Sequence, residues 1–148
     1  VIALLQRVSR AHVTVADELT GEIERGLLVL LGVAKGDESA AAARLAEKTA
    51  KYRCFASEDG SKPMHHSLLD LGLGALVVSQ FTLCANTRKG LRPGFDDAAE
   101  PELAERLYEE YCAGLQAAGV APVARGRFRA HMQVELVNDG PVTLELRS

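Results

Sequence analysis

Two rhythms run along this chain, short stretches that are apolar throughout and stretches in which apolar and polar residues alternate, and together they predict most of its elements. Ile2 to Val8 reads as a strand and His12-Val13-Thr14-Val15 as a second, with Thr20 to Ile23 pairing back across an Asp17-Glu18 turn. Leu27 to Val33 is continuously apolar between Gly26 and Lys35-Gly36-Asp37, a length that favours a strand buried on both faces. A helix is expected from about Ser39 to Arg53, with Ala42, Leu45, Thr49 and Tyr52 on one face and Asp37 or Ser39 as its cap. Ala75 to Leu83 reads as a further apolar strand, and Asn86 to Asp97 as a long surface loop. Pro101 suits the first position of a second helix, which carries Leu103, Leu107, Tyr111 and Leu115 as its apolar stripe and ends near Ala118 before Gly119. Gln133 to Val137 and Val142 to Leu146 then form two strands around Asn138-Asp139-Gly140-Pro141, whose residues are those of a hairpin tip.

Seven or eight strands and two helices, with several strands joined as hairpins, predict an α+β fold. The sheet is expected to be largely antiparallel or a partly open β-barrel, in one domain over residues 1–148. No repeat or linker interrupts the chain. At 47% hydrophobic and 25% charged residues the composition is that of an ordinary globular domain. No apolar run reaches the ~18 residues of a membrane span, so no membrane partner is expected. The opening residues carry no basic leader, and Cys54, Cys84 and Cys112 form no Cys-x-x-Cys pair. Reduced thiols and a cytoplasmic location are therefore expected.

A net charge of −3 argues against a protein that coats nucleic acid, although it leaves room for one that grips an end of RNA. The cations are unevenly placed: Arg88, Lys89 and Arg92 cluster in one segment, and Arg125, Arg127 and Arg129 alternate in another. His12, His65, His66 and His131 make no His-Glu-x-x-His pattern, and neither a Gly-x-Ser-x-Gly elbow nor a phosphate loop is present. No metal or cofactor is expected, and the residues alone identify no nucleophile or base. Two segments stand out. Ser79-Gln80-Phe81-Thr82-Leu83 ends an apolar run with polar groups that either close local turns or line a pocket. Asn138-Asp139-Gly140-Pro141-Val142-Thr143 reads first as a turn.

Taken together, these segments resemble the D-aminoacyl-tRNA deacylase family, in the form found in bacteria and most eukaryotes. The likeness runs through Leu5-Gln6-Arg7-Val8-Ser9-Arg10-Ala11, Leu28 to Val33, Val77-Val78-Ser79-Gln80-Phe81-Thr82-Leu83, Asn86-Thr87-Arg88-Lys89-Gly90, Gly126-Arg127-Phe128 and Leu136 to Thr143, in order and over nearly the whole chain. The resemblance implies a homodimeric hydrolase that cuts the ester between a D-amino acid, or glycine mischarged on another tRNA, and the 3′ end of tRNA. It implies chiral proofreading in translation quality control, with the site at the subunit interface. Ser79, Gln80, Phe81 and Thr82 of one subunit would form the pocket, and a Gly140–Pro141 unit with a cis bond would reach in from the other and reject L-amino acids. Arg7 resembles the residue that steadies that unit, while Phe128 and Met132 are similar to residues near the terminal adenine. Thr82 lacks an assigned base. The favoured chemistry is therefore substrate-assisted, with the ribose hydroxyl helping to activate water and main-chain N–H groups near Phe81 and Thr82 holding the oxyanion. Met64-His65-His66-Ser67-Leu68 departs from the family pattern, whereas Cys84 and Leu91 stand where the family varies, and none of these touches the two signature segments. The intact Ser-Gln-Phe-Thr argues against the related animal branch with a trans Gly-Pro. The alternative from another class is a non-catalytic module that binds an RNA end or a D-amino acid.

Overall fold

A computed structural model describes residues Val1–Ser148. Its organising element is a single strand, β1 (Ile2–Val15), antiparallel on one side to β6 (Gln133–Arg147) over almost its entire length. On its other side β1 pairs first with β3 (Gly26–Gly32), then with β2 (Glu18–Ile23), so residues 18–32 run back along β1 as one bent arm of a hairpin. The expected break between Ile2–Val8 and His12–Val15 does not occur, because Ser9 and Arg10 are exposed and can stay extended in solvent. The hairpin reverses at Ala16-Asp17, both with positive φ (48° and 65°), one residue before the expected turn.

β4 (Gly74–Ser79) lies parallel to β3, and β5 (Val123–Arg125) parallel to β4. The sheet is thus mixed, and it curls until β2 meets β5. A Cβ at Gly21 would stand 2.5 Å from the Arg125 carbonyl oxygen, so these strands approach as backbones. The predicted α+β fold with a partly open barrel and two long helices holds. The helices are α1 (Ser39–Lys51) and α3 (Pro101–Ala118), separated in sequence by a one-turn α2 (Leu68–Leu71). α3 begins on Pro101 and ends at Gly119, φ +106°, as expected. Neither Asp37 nor Ser39 caps α1; the cap position is Glu38, and Asp37 instead accepts from the Ala34 N–H.

The continuous apolar runs are explained by two cores. Alternate residues of β3 and β4 point to opposite faces. Leu27, Val29, Leu31, Ala75 and Val77 meet α1 and α3, while Leu28, Leu76 and Val78 meet Val8, Ala11, Val13 and Ile23 inside the barrel. Buried polar groups are paired across these layers. The Tyr111 hydroxyl donates to Thr49 Oγ1 at 2.8 Å, and Thr49 donates to the Leu45 carbonyl at 2.8 Å. Tyr108 donates to the Val77 carbonyl at 2.9 Å, tying α3 to β4. Tyr111→Phe leaves Thr49 bonded to Leu45 and removes one bond, so urea unfolding is expected to show a loss of about 1 kcal/mol.

The largest departure is in β6, where no hairpin forms. The chain does not reverse at residues 138–141; both halves of β6 pair with β1 in one direction. Between the pairs Gln6↔Thr143 and Val8↔Asn138, β1 has the single residue Arg7 while β6 has the four residues 139–142. The excess is extruded as a wide bulge, with Asp139, Gly140 and Pro141 exposed.

The three cysteines are free and buried, as expected. Burial pushes the Cys54 and Cys112 thiols up to about 11, and it raises that of Cys84 as well. A thiol reagent at about pH 8 is therefore expected to react slowly with the native protein and rapidly once urea unfolds it.

Candidate functional site

Two constructions emerge, and they lie apart within one chain. The first is a cavity of about 510 Å³ where β4 gives way to a 3-10 turn, Phe81–Cys84. The turn replaces the predicted last residues of the strand. Ser79 and Gln80 remain half-buried at the cavity wall, while Phe81 (54% exposed) and Thr82 are carried to the surface. Phe128 and Met132, just before β6, also line it, as do Ala99 and Ala104 near the start of α3. The cavity is of a size that suits a nucleoside or an amino acid. Of the residues singled out in the sequence, Ser79, Gln80, Phe81, Phe128 and Met132 line it together.

Thr82 does not line the cavity. Its hydroxyl accepts a hydrogen bond from the Gln80 side-chain amide and has no carboxylate or imidazole partner. The N–H groups of Phe81 and Thr82 open the 3-10 turn, so no bond inside the turn can satisfy them. They are therefore donors left free by the turn, one on a residue of the cavity wall and one on the residue after it. Phe81 is braced edge-on against Phe95, ring centroids 5.0 Å apart. The sequence signal for this wall was the polar run after an apolar strand. The α3 side of the cavity, together with His131 and Arg129, was missed because nothing local marks it.

The second construction is the β6 bulge. Arg7, alone opposite it, donates from Nε to the Asp139 carbonyl at 2.8 Å and from Nη1 to the Cys54 carbonyl at 2.9 Å. One side chain thus ties the bulge to the segment that follows α1. Asn138 spans the bulge from within. Its Oδ1 accepts from the Val142 N–H at 2.9 Å, and its Nδ2 donates to the Val142 carbonyl at 3.3 Å and to Thr143 Oγ1 at 3.0 Å. The amide takes the place of the strand partner that an extruded segment lacks. As a single site residue Asn138 was missed; its turn-forming character drew attention to the wrong local role. The Gly140–Pro141 bond is cis, as is Ala121–Pro122. None of Arg7, Gly140 or Pro141 lines the cavity of its own chain.

No group of three or more His, Cys, Asp or Glu side chains converges in a way that could hold a metal ion. No helix is long and apolar enough to cross a membrane.

The family model described as D-Tyr-tRNA(Tyr) deacylase matches residues 4–147. A D-aminoacyl-tRNA deacylase of Idiomarina loihiensis is 57% identical over 146 residues, covering 99% of each chain. That of Roseiflexus sp. is also 57% identical over 146 residues, 99% of this chain and 92% of its own. Among solved structures, one described as a c-Myc DNA Unwinding Element Binding Protein superposes with a TM-score of 0.94 at 39% identity, over 100% of this chain and 99% of its own. A probable eukaryotic D-amino acid tRNA deacylase shares the fold, with a TM-score of 0.82 at 18% identity over 98% of this chain and 97% of its own.

Proposed function

Since this chain belongs to the D-Tyr-tRNA(Tyr) deacylase family, we propose that it discriminates chirality with a site shared between two subunits. The reaction is hydrolysis of the ester joining a D-amino acid to tRNA, which frees both. In this reading the whole span 1–148 acts as one domain, in the cytoplasm, as a homodimer. The observation that carries the shared site is that each chain holds two half-sites that do not meet: a cavity with a ready N–H pair, and an exposed, rigidly clipped bulge. A second copy turned about a two-fold axis would bring the Gly140-Pro141 bulge of one to the Ser79–Thr82 wall of the other.

The division of labour follows from chemistry. A D-amino acid and its L form differ only in the direction of the side chain from Cα. A main-chain wall at Gly140-Pro141 would leave room for hydrogen on one side and for a side chain on the other. An L side chain would collide with backbone that Arg7 and Asn138 prevent from retreating. Such a wall is indifferent to which D side chain is attached, and it admits glycine, which has none. Phe128 and Met132 offer an apolar face on which the terminal adenine can stack.

An aminoacyl ester is already activated, so the protein's task is to position it and to hold the oxyanion. The N–H groups of Phe81 and Thr82 serve as donors, and the ribose hydroxyl of the substrate assists the attacking water. The Thr82 hydroxyl, engaged by Gln80 and without a base, is not the nucleophile in this scheme. Thr82→Ala is accordingly expected to keep kcat within about tenfold of wild type in single-turnover assays, where loss of a true nucleophile costs ~10³-fold or more. A fall to background would overturn the substrate-assisted route.

The activity itself is tested by comparing release from D-Tyr-tRNA, L-Tyr-tRNA and a glycyl-tRNA. Release from the first and third with sparing of the second is expected. Binding of D-Tyr-tRNA without release would instead favour a non-catalytic module.

A further inference from the structure

The two cationic clusters of the sequence have different fates. In the second, Arg125 is paired with Glu109, and Arg127 lies 3.5 Å from Glu18. The first has no such neutralisation. Asn86 and Gly94 pair through two backbone hydrogen bonds of 2.7 and 3.0 Å, which close residues 87–93 into a defined loop. Within it Arg88, Lys89 and Arg92 are exposed, and none of them forms an ion pair. They line a hollow of about 430 Å³ together with Asn86, Pro93, Gly94 and Asp96, its one carboxylate. The hollow adjoins the candidate site: Phe95, next to Gly94, packs on Phe81 of the cavity wall. Arg129, also without an ion pair, lines that cavity.

In a chain of net charge −3, three exposed cations without ion pairs, held together beside the site, suit an anionic ligand. We propose that the loop closed by Asn86 and Gly94 grips the phosphodiester backbone of the acceptor end of tRNA, with Arg88, Lys89 and Arg92 as the phosphate-binding residues. The assignment rests on reading the substrate as aminoacyl-tRNA. It adds a contact beyond the terminal nucleoside, which sets affinity for the RNA and leaves chiral choice to the cavity. Phosphate contacts carry no sequence information, so the loop would serve many tRNAs alike.

The test uses fluorescently labelled uncharged tRNA, titrated with the full-length wild type and with R88A/K89A/R92A in low and high salt. Each phosphate contact contributes roughly 0.7–0.9 to the slope of log affinity against log salt. The variant is therefore expected to show a slope shallower by about 2–3 and to bind more weakly at low salt. Between ~50 and ~200 mM salt the wild type should lose on the order of 20- to 40-fold more affinity than the variant. In a second arm, hydrolysis of D-Tyr-adenosine, which carries no phosphate, should change by less than about twofold while KM for D-Tyr-tRNA rises. Equal affinity and slope for both proteins would overturn the proposal, as would an equal loss on both substrates. Wild type that hydrolyses neither ester yet shows the predicted slope difference would sink the deacylase reading and leave the phosphate assignment standing.

Discussion

Gly140→Ala is expected to lower hydrolysis of D-Tyr-tRNA by ~10²-fold or more while the fold survives, because a displacement of about 1 Å in a positioning element can have that effect. A Cβ at this position would sit 2.6 Å from the Val142 backbone nitrogen and 2.8 Å from its Cγ2, with Arg7 Nη2 at 3.4 Å. The bulge cannot absorb this locally, since Val142 is clipped on both backbone groups by Asn138, and Arg7 holds Asp139 on the other side. The tip must move as a unit, and it is the part assigned to the substrate. Because the tip is exposed, the cost in stability should be modest, about 1–3 kcal/mol. Single-turnover kinetics on D- and L-Tyr-tRNA, with a urea titration of the same preparation, separate the two effects. Unchanged kinetics with a small stability loss would mean that the bulge is only structural.

The largest effect on stability is expected from Gly26→Ala. Gly26 and Gly74 are partners at the first rung of the parallel pair β3–β4, in the middle of the sheet. A Cβ on Gly26 would lie 2.1 Å from the Gly74 carbonyl oxygen. Gly74 cannot retreat, because a Cβ there would itself meet Pro122 Cδ at 2.8 Å and its carbonyl oxygen at 2.9 Å. Three backbones are thus stacked with no space for a methyl group. A loss of roughly 3–5 kcal/mol is expected in urea unfolding, a large part of the total stability of such a domain. Gly60→Ala provides the contrast. Gly60 has open space around it and φ +74°, so only the left-handed backbone opposes the change, at about 1–2 kcal/mol.

Where local chemistry decides an element, the sequence was readable. Pro101 and Gly119 marked both ends of α3, and the unbroken apolar run after Gly26 marked a strand buried on both faces. That run is explained by one face lying under the helices and the other inside the barrel, while the parallel β3–β4 and β4–β5 pairings had no local mark, since the hairpin pattern elsewhere points to antiparallel neighbours. Asn138-Asp139-Gly140-Pro141 shows the limit. Its residues specify an irregular backbone, but whether the chain reverses or bulges depends on β1 continuing past it, more than 120 residues away in sequence. The reversal was therefore misplaced while the irregularity was found. The cavity was half legible for a similar reason. Ser79, Gln80 and Phe81 share a segment, and Phe128 and Met132 joined them only through the resemblance; the α3 wall depends on packing alone. The cluster of three cations was visible in the sequence, but its lack of acidic partners, unlike Arg125 and Arg127, was not.

The central claim is that each working site combines the cavity of one subunit with the bulge of another. It is tested most directly by mixing two variants, each inactive alone: Gly140→Ala, which displaces the bulge, and Ser79→Arg, which fills the cavity. If the site is shared, a mixed dimer contains one intact site and one doubly damaged site. Equal amounts, unfolded and refolded together, should then recover about a quarter of wild-type D-Tyr-tRNA hydrolysis, because half of the random dimers are mixed and each has one of its two sites restored. A mixture no more active than its components would contradict the account.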